Sequence, residues 1–265
     1  MKKVITLLYA YLPKQWVFFL GNSKMLKFIR DSILRPNQKE VIVNELVTWG
    51  LGKFYFFAPI KVAVKAKSKG IESLLIKNSI KLLNENNLTN PTILDIGANY
   101  GFISLAFQSN LEKKTSIYSF EPHPEIVKVF KESVIKNKIN NIVIENVAVG
   151  NINKSIMINL YRQTSNILDI GNNVVKRALI NQIKLDDYLM ERNIVPNFIK
   201  IDVDGYELEV LEGLKATIEK YKPIMVVETN ENQDVLKYLK DCNYRLVNLN
   251  LNEFEGIPNN VFCIS

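Results

Sequence analysis

At 265 residues and 47% hydrophobic content, the chain can bury one large core, and its size fits one α/β domain plus an extension better than two independent domains. The 34 basic residues outnumber 27 acidic ones, but they are spread along the chain, so most of the +7 charge reads as solvated surface. Cys242 and Cys263 lie far apart without metal spacing, so neither a disulfide framework nor a zinc site is suggested, and a reducing cytoplasm is the expected location.

The first segment, MKKVITLLYAYLPKQWVFFLGN, carries an apolar run from Val4 to Leu12 that Pro13, Lys14 and Gln15 interrupt. That run falls short of the roughly 20 apolar residues a bilayer span needs. A packed helix or an oligomer contact is expected here, with a peripheral membrane contact through Trp16, Phe18 and Phe19 as the alternative. Further on, Lys61, Lys65, Lys67 and Lys69 sit at odd positions with Val62, Val64 and Ala66 between them, a period of two that predicts a basic edge strand. Residues 1–90 are therefore read as an N-terminal extension of helices and a strand.

From Pro91 to the end, residues 91–265, apolar runs alternate with amphipathic segments of helical length. The expected strands are TILDIG, TSIYSF, NIVIENVAV, FIKIDV, PIMVVET, YRLVNLN and NVFCIS, seven in all. The expected helices are Phe102 to Ser109, Pro124 to Lys136, Tyr206 to Lys220 and Glu231 to Cys242, the third with a core stripe of Leu211, Leu214, Ile218 and Tyr221. Such alternation predicts an α/β fold, a mostly parallel sheet with helices on both faces. An insertion over 150–196, with SIMINLY, the polar loop QTSN and a strand through INQIKL, is expected near the substrate.

Ligands of such sheets bind beyond the carboxyl ends of the strands, and those ends are polar here. They are Asp95 and Gly97, then Glu121, Asn146, Asp202 with Asp204, and Glu228 with Thr229 and Asn230. Gly97 and Gly101 allow a tight turn that brings N–H groups against a ligand, and Asp95 can accept from an ammonium or from loop amides. Glu121, at the next strand end, can hold the two hydroxyls of a ribose. A dinucleotide site would need G-x-G-x-x-G at this turn, and the spacing is wrong. S-adenosylmethionine, which is cationic and has no phosphate, is the better fit.

The series LDIGANYGFIS, SFEPHP, NVAVGN, IKLDDYL, FIKIDVDGYELEVLEGL and KPIMVVE, running roughly from Gly70 to Glu228, resembles the FkbM family of S-adenosylmethionine-dependent methyltransferases. The resemblance implies a class I methyltransferase, Rossmann-like fold and O-methylation of a hydroxyl on a sugar, glycan, glycolipid or natural product. It also implies that Asp95, Gly97, Ala98, Asn99, Gly101 and Phe102 line the methionine side of the cofactor, Glu121 the ribose, Pro122 and His123 the adenine flank, and Asn146 and Ala148 the adenine edge, with Asp202 closing the site. One departure is visible: the family's usual D-V-E-G is Asp202-Val203-Asp204-Gly205 here.

A sugar hydroxyl is a poor nucleophile at neutral pH, so a base or a metal should assist. Asp202, Asp204, Glu228 and Lys200 are the catalytic candidates, with Lys200 expected to pair with a carboxylate because a buried charge needs a partner. A metal-free base is favoured, since Lys200 already balances one carboxylate; Mg²⁺ held by Asp202, Glu228 and Asn230 is the alternative. A small-molecule or glycan acceptor is expected rather than nucleic acid. An RNA methyltransferase and a catalytically inactive scaffold subunit are the competing functions, because fold alone does not choose among them.

Overall fold

The computed structural model describes residues 42–48, 52–86, 88, 90–111, 115–160, 165–166 and 176–265. In chain order the first elements are β1 (Ile42–Val47), β2 (Phe54–Pro59), α1 (Ile60–Lys69), α2 (Ser73–Glu85), β3 (Thr92–Ile96), α3 (Phe102–Asn110), β4 (Ser116–Phe120) and α4 (Pro124–Lys136). There follow β5 (Ile142–Glu145), β6 (Ala148–Gly150), β7 (Lys154–Leu160), β8 (Ser165–Asn166), β9 (Lys176–Lys184) and α5 (Leu185–Glu191). The last are β10 (Phe198–Ile201), α6 (Glu207–Gly213), α7 (Lys215–Tyr221), β11 (Ile224–Glu228), α8 (Gln233–Asp241), β12 (Arg245–Val247) and β13 (Asn260–Ile264).

Seven strands form the central sheet in the order β12-β13-β11-β10-β3-β4-β5. All run parallel except β13, which pairs antiparallel with both neighbours. Side-chain alternation loads both faces of this sheet. Ile93, Ile117, Phe198 and Val226 join one core with α2, α3 and α4, while Leu94, Phe120, Ile199 and Val227 join a second core with α5 to α8. The strand order reverses at β3, between β10 and β4, and the carboxyl ends there open the crevice where such folds bind ligands.

The segment 61–69 is helix, not the expected edge strand. Ile60, Ala63 and Ala66 are the buried positions of α1, so a spacing of three governs the packing, and lysine and alanine both favour helix. The strands of this region are instead the antiparallel hairpin β1–β2, whose Phe54 and Phe56 pack edge-on against Phe102 at 5.5 and 5.2 Å between ring centroids. Leu75, Ile76, Leu82 and Leu83 of α2, a helix within the expected extension, enter the same core, so residues 54–85 pack onto the sheet. The apolar N-terminal segment with Trp16, Phe18 and Phe19 lies outside the described residues, as does part of the QTSN loop. Among the described residues, no helix is long and apolar enough to cross a membrane.

Two further expectations change. The run 141–149 is not one strand: it breaks at Asn146, whose Nδ2 donates to the carbonyls of Glu121 (2.9 Å) and Pro122 (3.0 Å), and β6 leaves the central sheet. It joins a second sheet, β6-β9-β7-β8, built from the insertion. The helix expected over 206–220 is two helices, because the Asp186 carboxylate accepts from the amides of Ala216 and Thr217 and starts α7 afresh. Tyr221, at the end of α7, is 40% exposed and is not part of the core stripe.

Candidate active site

The turn from Gly97 to Gly101 connects β3 to α3, and both glycines have positive φ, at 75° and 79°. A Cβ on Gly97 would lie 1.7 Å from the Asp202 carbonyl oxygen, and one on Gly101 would lie 2.0 Å from the Phe130 ring. Every amide in this turn is already used within the chain. Gly97 and Ala98 donate to the Phe120 carbonyl, Asn99 to Glu121 Oε2, Tyr100 to Asn99 Oδ1 and Gly101 to the Ala98 carbonyl. The turn thus holds its shape by itself and does not offer these N–H groups to a ligand, contrary to expectation.

Asp95 is also placed differently. Alternation along β3 turns it toward α3, where it is fully buried; its Oδ2 accepts from Ser104 Oγ at 2.5 Å, and Ser104 in turn meets Ser119 at 2.8 Å. It lies beneath the turn, not open to a ligand's ammonium. Phe102, expected against the cofactor, is committed to Phe54 and Phe56 of the hairpin.

Glu121 ends β4 with both carboxylate oxygens engaged, Oε2 by the amide of Asn99 (2.9 Å) and Oε1 by that of His123 (2.8 Å). Burial pushes its carboxyl up to about 7, against the pull of those two amides and of Lys200. The site's one histidine, His123, caps α4: its Nδ1 accepts from the Glu125 amide at 3.2 Å, which ties it to the helix start. Asn146 is exposed beside Pro122, joining the ends of β4 and β5, whereas Ala148 is buried in β6 opposite Gln182.

Across the switch point, Lys200 is 2% exposed in β10. Its Nζ donates to the carbonyls of Gly97 (2.8 Å) and Ile96 (3.3 Å) and stands 3.4 Å from both Asp95 Oδ1 and Asp202 Oδ2. The expected pairing with a site carboxylate is present. Burial pushes this lysine down, but the charges of Asp202 and Asp95 more than restore it. Asp202 sits between two partners. Burial pushes its carboxyl up, yet the Lys200 ammonium and a hydrogen bond with Glu228 bring it below the usual range. Glu228 moves the other way, up to about 8, first by burial and then by the Asp202 charge. The two carboxyls, whose oxygens lie within 4.8 Å of one another, are thus pushed in opposite directions.

Glu207 was not anticipated. It is 1% exposed at the first position of α6, and its Oε1 accepts from the amides of Val203 (3.3 Å) and Gly205 (3.1 Å) and from Asn230 Nδ2 (2.9 Å). The signal for it was an acidic residue opening a helix two positions after a glycine, where backbone amides stand exposed. Oxygens of Asp202, Asp204 and Glu228 lie within 4.8 Å of one another, a spacing a hard cation could span. Asn230 turns its amide NH₂ toward Glu207 and, at 3.4 Å, toward Glu228. Tyr206, beside this loop, donates to Gln182 of β9 at 3.2 Å, so the insertion sheet reaches the loop after β10.

Residues 95–246, more than half of the chain, match the family model described as Methyltransferase FkbM domain. No curated protein matches. Among solved structures, a methyltransferase FkbM from Methylobacillus flagellatus KT is 16% identical with a TM-score of 0.48, covering 66% of this chain and 43% of that one. This chain thus spans less than half the length of that relative. A precorrin-6y C5,15-methyltransferase from Geobacter metallireducens GS-15 is 12% identical with a TM-score of 0.43, over 74% and 87% of the two chains. An rRNA methylase from Streptococcus thermophilus is 13% identical with a TM-score of 0.45, over 72% and 95%.

Proposed function

The chain belongs to the FkbM methyltransferase family, and from that premise we propose that it transfers the methyl group of S-adenosylmethionine to a hydroxyl of a sugar, glycan, glycolipid or natural product. The observation that carries this reading is the contrast across the switch point. The glycine turn spends its five amides internally, which leaves no cradle for a pyrophosphate, and carboxylates stand at the strand ends on both sides, which suits a cationic ligand. When bound, the cofactor supplies an electrophilic methyl carbon on a positively charged sulfur.

In this reading the chain's own residues do three things. Glu121 and the turn it fastens hold the nucleoside end, with Asn146 and Pro122 beside it. Lys200 joins the turn to Asp202, fixing the distance between the cofactor side and the acceptor side. Glu228, once ionised, would take the proton that leaves the acceptor hydroxyl, and the bound cofactor would supply the methyl group, with the Asp202 charge keeping Glu228 basic enough for that role. A value near 8 suits a base working close to neutral pH. The Lys200 ammonium beside Asp202 favours this metal-free route over a divalent cation held by the same carboxylates.

Calorimetric titration with S-adenosylmethionine and with NAD, followed by transfer from methyl-labelled cofactor to free sugars, glycolipids and RNA, tests the proposal. Binding of the first cofactor only, with label on a hydroxyl acceptor and no effect of EDTA, is expected. Tighter binding of NAD, or label on RNA alone, would overturn it. Loss of activity in EDTA with recovery in Mg²⁺ would replace the metal-free base.

A further inference from the structure

Four residues around the acceptor-side loops have positive φ: Asp204 (52°), Gly205 (97°), Asn230 (47°) and Glu231 (58°). Three of them are not glycine, and such backbone persists where surrounding hydrogen bonds over-determine it. Glu207 bonds to two of these four residues, Gly205 and Asn230, one in each loop. One of its oxygens gathers Val203 N and Gly205 N from the loop after β10, and Asn230 Nδ2 from the loop after β11. Asn230 Nδ2 also reaches Glu228 Oε2 at 3.4 Å, so a continuous link runs from Glu207 through Asn230 to Glu228.

A helix start does not by itself require this arrangement. Placing a fourth carboxyl beside Asp202, Asp204 and Glu228 is unfavourable electrostatically, and burial pushes Glu207 up in the same direction as the Asp202 charge. A serine or asparagine could have served the Val203 and Gly205 amides at lower electrostatic cost. What a short polar side chain would not do is span both loops.

We propose that Glu207 is a positioning residue for methyl transfer, clamping the loop after β10 to the loop after β11 so that Asp202 and Glu228 meet at a fixed separation. The inference rests on the reaction proposed above. Its effect is on orientation, where a displacement of about 1 Å costs about 10²-fold in rate.

Glu207→Ala and Glu207→Gln in the full chain test it through three readouts: kcat and KM for methyl transfer to the hydroxyl acceptors above, calorimetric affinity for S-adenosylmethionine, and hydrogen exchange at the Val203 and Gly205 amides. Glu207→Ala should lower kcat about 10²-fold, leave cofactor affinity unchanged and speed exchange at both amides. Glu207→Gln keeps an accepting oxygen and should recover most of kcat and the slow exchange. Wild-type kcat in the alanine variant, equal damage in both variants, or a loss confined to cofactor affinity would overturn the proposal. Should Glu207→Ala not fold, Asn230→Ala cuts the other end of the clamp and should lower kcat in the same way; an unaltered rate there would count against it. A wild-type chain that neither binds S-adenosylmethionine nor transfers label would instead sink the proposed reaction, and amide exchange in Glu207→Ala would still judge the clamp.

Discussion

The turn after β3 and the loops after β10 and β11 lie along the same edge of one sheet, yet they treat their polar groups in opposite ways. At the turn, each amide from Gly97 to Gly101 has an acceptor within the chain, and each oxygen of the Glu121 carboxylate accepts from one neighbouring amide. At the loops, carboxyl groups face one another and disturb each other's protonation, with Asp202 driven down and Glu228 up. In the reaction proposed above, the turn only binds and can be completed by the chain itself, whereas the loops take up a proton and are held under the electrostatic tension where perturbed carboxyl groups concentrate. Lys200 is the seam between them, bonded to the Gly97 carbonyl on one side and facing Asp202 on the other.

The strongest way to break that contrast is at the seam. Gly97→Ala puts a methyl group 1.7 Å from the Asp202 carbonyl at a φ of 75°, and chemical unfolding should report a destabilisation of about 4 kcal/mol or more. A loss below about 1 kcal/mol would mean the two halves are not in tight contact.

A smaller effect should be confined to the reactive side. Glu228→Gln is expected to lower kcat about 10²- to 10⁴-fold while calorimetric cofactor affinity stays the same. The pH profile sharpens the point. A base acts when ionised, so the wild-type rate should climb as pH rises through about 8. Burial and the Asp202 charge both hold that proton on, so Asp202→Asn removes the second of these and should move the climb to lower pH. A climb that stays in place or moves up would show that the Asp202 charge does not hold the proton on Glu228.

The mildest prediction is on the binding side. Glu121→Ala should weaken S-adenosylmethionine binding by about 1 to 3 kcal/mol through lost hydrogen bonds, with kcat at saturating cofactor little changed. Unaltered affinity in the same titration would reduce Glu121 to a brace between the Asn99 and His123 amides.

Sequence alone determined the central sheet and the position of its crevice, because both rest on short-range regularities. Short, largely apolar runs separated by helical segments mark β3, β4, β10 and β11 as strands of a sheet buried on two faces, and α4 runs from Pro124 to Lys136 as its periodicity required. The polar residues ending those strands are legible for the same reason, and so is the need of Lys200 for an acidic partner. Tertiary structure decided what depends on contacts between distant residues. Segment 61–69 satisfies two periods at once, and only burial of Ile60, Ala63 and Ala66 selects the helix. Asp95 belongs to Ser104 and Lys200 rather than to a ligand because the sheet's pleat turns it inward. Glu207 gains its place from Asn230, 23 positions further along, a partner that no local pattern in the chain could supply.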